Sequence, residues 1–65
     1  MSIEKILSLR IQWYNTKSKY ESNSVTKEEL IKIGKKISKE YLGLNGYKKK
    51  YDDALDIIQY LIENK

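Results

Sequence analysis

Apolar residues recur along this chain at steps of three and four, in three blocks separated by two polar joints. The first block, residues 3–20, sets Ile3, Ile6, Leu7, Leu9, Trp13, Tyr14 and Tyr20 on one broad face at helical spacing. Ser2 is placed to cap this helix, and Glu4 suits the positive end of its dipole. Arg10 lies within the apolar face, one turn before Trp13 and Tyr14, while Ile11 falls outside it. The segment ESNS, residues 21–24, has no apolar residue and many side chains that compete for backbone hydrogen bonds, so it reads as a loop.

The second block, residues 27–42, has the strongest start signal. In VTKEEL, Thr26 is a helix N-cap and Glu29 completes a capping box, with Val25 and Leu30 at the two positions of a hydrophobic staple. Leu30, Ile33, Gly34, Ile37, Tyr41 and Leu44 then mark one stripe. A glycine inside a helix costs about 1 kcal/mol against alanine, so Gly34 predicts close approach of a neighbouring helix. Gly43 is expected to end the helix in the left-handed conformation, with Leu44 folding back as its hydrophobic partner.

The third block, residues 47–63, places Tyr51, Ala54, Leu55, Ile58, Leu61 and Ile62 on one face. Ile57 widens that arc and Tyr60 lies near its opposite side. No stretch alternates at period two. The expectation is one all-α domain over residues 1–65, a small antiparallel three-helix bundle with short joints. The third helix carries more apolar surface than one side of such a bundle needs. That surplus predicts self-association through it, as a homodimer, or capture of a protein partner.

The joint GLNGYKKKYDD, residues 43–53, admits two helix starts. A start near Asn45 or Gly46 makes Tyr47 and Tyr51 part of the buried stripe, but sets Lys48, Lys49 and Lys50 against the helix dipole. A later start puts Asp52 and Asp53 in the first turn, where acidic residues are favoured. Two glycines, three lysines and free backbone N–H groups also suit a phosphate.

Charge sharpens this picture. Residues 27–50 hold eight lysines against Glu28, Glu29 and Glu40, whereas residues 51–65 hold Lys65 against Asp52, Asp53, Asp56 and Glu63. The middle is basic and the end acidic, which says more than the net charge of +4. Lys32, Lys35, Lys36 and Lys39 form a stripe opposite the apolar face of the second helix. With Lys48, Lys49 and Lys50 they make a candidate contact to nucleic-acid phosphates, salt-sensitive and largely independent of sequence. The bland alternative is a solvated surface. Arg10, Trp13, Ile57 and Tyr60 are candidate partner contacts, since Trp, Tyr and Arg are favoured at interfaces.

Several classes are disfavoured. A helix-turn-helix needs a recognition helix rich in basic or amide groups, and the third helix offers acids instead. The stretch DDALD, residues 52–56, resembles the magnesium-diphosphate motif of prenyl-transferring enzymes, but 65 residues are too few to enclose their cavity. Without Cys or His the chain has no disulfide, no usual zinc site and no evident catalytic nucleophile or acid-base pair. No apolar run approaches the roughly 20 residues that span a bilayer, and the N-terminus does not read as a signal peptide. The expected protein is non-catalytic, free of cofactor and metal, and cytoplasmic, or a viral or plasmid product acting inside a cell. The leading expectation is nucleic-acid binding. The alternative is a protein-interaction module, such as a small inhibitor, immunity or adaptor protein, using the third helix and the Trp13 region.

Overall fold

Each periodic block becomes a helix: α1 spans Ile3–Glu21, α2 Lys27–Leu42 and α3 Lys50–Glu63. The structure is a computed structural model that describes residues 3–64, so the Ser2 cap lies outside the described residues. Lys5, early in α1, forms an ion pair with Glu40, late in α2, at 3.3 Å. Gly34, in the first half of α2, faces Leu61 near the end of α3. Arg10 reaches Asp53, and Tyr20 donates to the Asn64 carbonyl. The helices therefore run up, down and up, as an all-α three-helix bundle with no strand among the described residues.

The core draws on all three helices: Ile6, Leu9 and Trp13 from α1, Leu30, Ile37 and Tyr41 from α2, Ala54 and Ile57 from α3. On α1 the buried spine is narrower than the apolar pattern suggests. Ile6, Leu9, Trp13 and Thr16 are buried, while Ile3, Leu7 and Tyr14 are exposed. Thr16 enters the core by donating its hydroxyl to the Gln12 carbonyl one turn back, at 2.7 Å, which satisfies its polar group within the helix. Ser38 does the same on α2 toward the Lys35 carbonyl.

Thr26 caps α2 as the sequence predicts, although the reciprocal bond from the Glu29 side chain that would complete a capping box does not form. The Glu29 backbone N–H donates to Thr26 Oγ1 at 3.2 Å, with Val25 half-buried and Leu30 buried. Gly34 is buried as well, and a Cβ there would lie 3.0 Å from a Leu61 methyl and 3.2 Å from Trp13 Cζ3. The three helices converge at this position because it carries no side chain.

The first joint is the loop that ESNS predicts, and the second differs from expectation in its backbone. The left-handed residue at the end of α1 is Asn23, with φ 62°. The Ser24 N–H donates to the Lys19 carbonyl and the Asn23 N–H to the Tyr20 carbonyl, the paired closure of a Schellman motif. Gly43, expected to be left-handed, is instead at φ −82°, its N–H held by the Lys39 and Glu40 carbonyls. The positive φ falls at Gly46, at 79°. The chain first completes a tight right-handed turn after α2 and reverses three residues later, with Leu44 half-buried against the core.

The α3 start resolves in favour of the later position. Residues 47–49 form a turn, and α3 begins at Lys50 with Asp52 and Asp53 in its first turn. The buried arc of α3 is also rotated from the expected one. Ala54 and Ile57 are buried and Tyr60 and Leu61 half-buried, while Tyr51, Leu55, Ile58 and Ile62 are exposed. Tyr51 is thus no part of the core, and Tyr60 faces inward.

Candidate interaction surfaces

Three surfaces gather the residues singled out by the sequence. The first is a small cleft between α1 and α3, of about 150 Å³, floored by Tyr41 and Ile57 and lined by Arg10, Trp13, Lys17, Asp53 and Asp56. Arg10 Nη2 donates to the Tyr47 hydroxyl at 2.8 Å and lies 3.5 Å from Asp53 Oδ2. Tyr47 in turn donates its hydroxyl proton to the same Asp53 carboxylate. Arg10 thus links α1 to the joint and to the first turn of α3. Its hydrogen bond to Tyr47 and the nearby carboxylate hold the guanidinium pKa above its ordinary value. Burial, then the bond to Asp53, raises that of Tyr47.

The cation over the aromatic rings is Lys17. Its Nζ lies 4.6 Å from the Tyr14 ring centroid, 5.5 Å from that of Tyr60 and 5.9 Å from that of Trp13. Trp13 and Tyr60 pack edge to face at 5.6 Å, a favoured aromatic geometry. Tyr60 also donates to Glu21 at 3.3 Å. Burial, then the Glu21 carboxylate, raises the Tyr60 pKa.

Of the four candidate partner contacts, Trp13 and Ile57 are core residues, Ile57 only 1% exposed. Both reach the surface only as the wall and floor of the α1–α3 cleft. Ile57, expected to widen the apolar arc and to meet a partner, is instead packed in the core because α3 is rotated about its axis. Tyr60 is half-buried against Trp13, and Arg10 is exposed but engaged within the chain.

The second surface is the lysine face. Lys32, Lys35, Lys36 and Lys39 are all exposed, on the side of α2 opposite its buried stripe. Lys48 and Lys49 are exposed on the joint that follows the Lys39 end of α2. Lys50 is half-buried, its Nζ 5.3 Å from the Tyr51 ring centroid. Glu28 and Glu29 occupy the opposite, N-terminal end of α2, so the basic character concentrates toward its C-terminal half and the joint.

The third surface is where the apolar surplus of α3 emerges beside α2. An open groove of about 680 Å³ runs between α2 and α3, lined by Ile31, Leu42, Ile58, Leu61 and Ile62, with Lys35 and Lys39 on its α2 rim. Leu55 and Tyr51 continue the apolar stripe along α3 beyond it, 51% and 67% exposed. The signal was present in the surplus of apolar residues on α3. What periodicity did not reveal is which part of that arc the bundle covers. A second exposed stripe, Ile3, Leu7, Ile11 and Tyr14, runs along the outside of α1.

Among the described residues, no cluster of acidic side chains is arranged to hold a metal ion, and no helix is long and apolar enough to cross a membrane. Asp53 of the DDALD stretch is committed to Arg10 and Tyr47. Compared with known proteins, the chain matches no family model, no curated protein and no solved structure.

Proposed function

We propose that this chain is a small non-catalytic binding domain whose ligand is another protein, met through the groove between α2 and α3 and the apolar stripe beside it. The observation that carries the reading is the exposure of Leu55, Ile58 and Ile62, three large aliphatic side chains at helical spacing on a helix that buries only Ala54 and Ile57. Single apolar residues scattered over a surface are ordinary, but a continuous patch rimmed by charge marks an interaction site. Grooves between two helices accept an apolar helix face from a partner. The lysine rim adds a preference for acidic neighbours around the apolar contact.

The test is recovery from native extract on immobilised protein, with and without nuclease, beside the variant Ile58→Asp. A stoichiometric protein band that survives nuclease and is lost in the variant supports the reading. Recovery that vanishes with nuclease and is indifferent to Ile58 overturns it.

A second reading is binding of nucleic acid through the lysine face. The specific observation in its favour is that Lys32, Lys35, Lys36, Lys39, Lys48 and Lys49 are all exposed. Such binding depends on phosphate contacts and weakens steeply with salt. The aliphatic groove has no role in it.

A further inference from the structure

We infer that the partner seated on the α2–α3 face is a second copy of this chain, in a parallel, two-fold symmetric dimer. The inference rests on the protein-partner reading above and names the occupant of that site.

Three parallel bands cross this face. On α3, Asp52, Asp56 and Glu63 recur at steps of four and seven, all exposed, and Asp56 opens onto the α1–α3 cleft. They therefore flank the apolar stripe on the side away from α2. In the middle lie Leu55, Ile58 and Ile62 with the groove floor of Leu42 and Ile31. On the far side stand Lys35 and Lys39, backed by Lys32 and Lys36. The order is acidic, apolar, basic.

Such a face is complementary to itself under one symmetry operation. A two-fold axis lying in the face and parallel to the helices turns the second copy over from left to right. The acidic band of each copy then meets the basic band of the other, and the apolar bands meet in the middle. An axis in the face but perpendicular to the helices sets acid on acid and base on base. A two-fold interface uses the same patch on both subunits, and like charges brought together suppress the wrong arrangement. Heights along the bundle agree. Leu42 lines the groove with Ile58, and Gly34 meets Leu61. Asp56 thus stands near the level of Lys39, and Glu63 near that of Lys32.

The dimer is a weak one. The α3 stripe from Tyr51 to Ile62 is roughly 17 Å long at 1.5 Å per residue. Two helices at 8–10 Å spacing present a face roughly 20 Å wide. These dimensions give on the order of 400 Å² per partner, about half of what a standard specific interface buries. Association is therefore concentration-dependent, and salt weakens its charged flanks.

The experiment is sedimentation velocity across a concentration series reaching on the order of 1 mM at low salt. The wild-type mass rises from one chain toward two, and Ile58→Asp stays at one chain throughout. The double variants Asp56→Lys/Glu63→Lys and Lys32→Glu/Lys39→Glu are each monomeric alone, and an equimolar mixture of the two restores a two-chain species. A wild-type mass of one chain at the highest concentration overturns the inference. So does self-association that survives Ile58→Asp, or a charge-swapped mixture no heavier than its components. Monomeric wild type that still captures a different protein through Ile58 overturns the dimer and leaves the protein-partner reading standing. Loss of both overturns both.

Discussion

Replacing Gly34 by leucine sets helix propensity against packing at the point where the helices meet. Leucine is favoured over glycine in a helix interior by up to about 1 kcal/mol. If Gly34 faced water, the variant would be more stable. The structure places it under Leu61 and Trp13 instead, with a Cβ only 3.0–3.2 Å from their carbon atoms, against an optimum near 3.5–4.0 Å. Leucine adds three more carbons beyond that Cβ. Overpacking of a filled core costs about 1–3 kcal/mol; with even the Cβ too close, leucine falls at about 2–3 kcal/mol of that range, and the propensity gain of up to about 1 kcal/mol leaves a net loss of about 1–2 kcal/mol. A domain of this length holds roughly 3–10 kcal/mol in total, so the loss is a large share of it. Urea unfolding followed by far-ultraviolet circular dichroism and Trp13 fluorescence reads the change as a midpoint lower by roughly 1 M. Gly34→Ala is the control. Leu61 is half-buried with a flexible end and gives way by a few tenths of an ångström, so alanine stays within about 1 kcal/mol of wild type. A leucine variant with an unchanged or higher midpoint would refute the convergence of the helices at Gly34.

Three further expectations follow from other parts of the molecule. Thr26→Ala removes the side-chain acceptor of the Glu29 N–H and lowers stability by about 1 kcal/mol, measured as a fall in the urea midpoint, while an unchanged midpoint would show that the cap contributes nothing. Burial raises the pKa of Tyr41, Tyr47 and Tyr60 in the folded chain. The folded state therefore keeps these protons after the unfolded chain begins to lose them near pH ~10, and stability declines as the pH rises beyond that point. Denaturant midpoints across the alkaline range check this, and a rise would contradict it. Replacing Lys48, Lys49 and Lys50 together by Gln leaves the fold intact, and under the nucleic-acid reading it weakens low-salt binding to single-stranded and duplex probes alike and flattens the salt dependence. Wild-type protein that binds neither probe would leave these lysines as a solvated surface.

What could be read from the sequence follows the range of each interaction. The α2 start was legible because its cap is local: Thr26 and Glu29 are three residues apart and make their bond as the spacing predicts. Gly34 was legible because a helix bears the cost of an interior glycine most readily where a neighbouring helix comes close. The face of α3 was not, since Tyr51, Leu55, Ile57, Ile58, Tyr60, Leu61 and Ile62 surround most of the helix and periodicity alone fixes no direction. The bundle decides it by burying Ile57 and leaving Ile58 outside. Arg10 was visible as an outlier in an apolar face, but its partners Tyr47 and Asp53 lie 37 and 43 residues away. That constellation exists only once α1 and α3 run side by side.

A protein partner on the α2–α3 face requires Ile57 to face inward while its neighbour Ile58 remains exposed. The most direct measurement is the urea unfolding midpoint of Ile57→Asp beside that of Ile58→Asp, at a concentration low enough to keep the chain monomeric. Ile57 is 1% exposed and Ile58 42%. An unpaired carboxylate at the first position stands in the core, where an isolated charge is strongly disfavoured, whereas at the second it reaches water. Ile57→Asp is expected to be unfolded without denaturant, and Ile58→Asp to fold with a midpoint close to that of wild type. A folded Ile57→Asp beside an unfolded Ile58→Asp would contradict that placement of the two side chains.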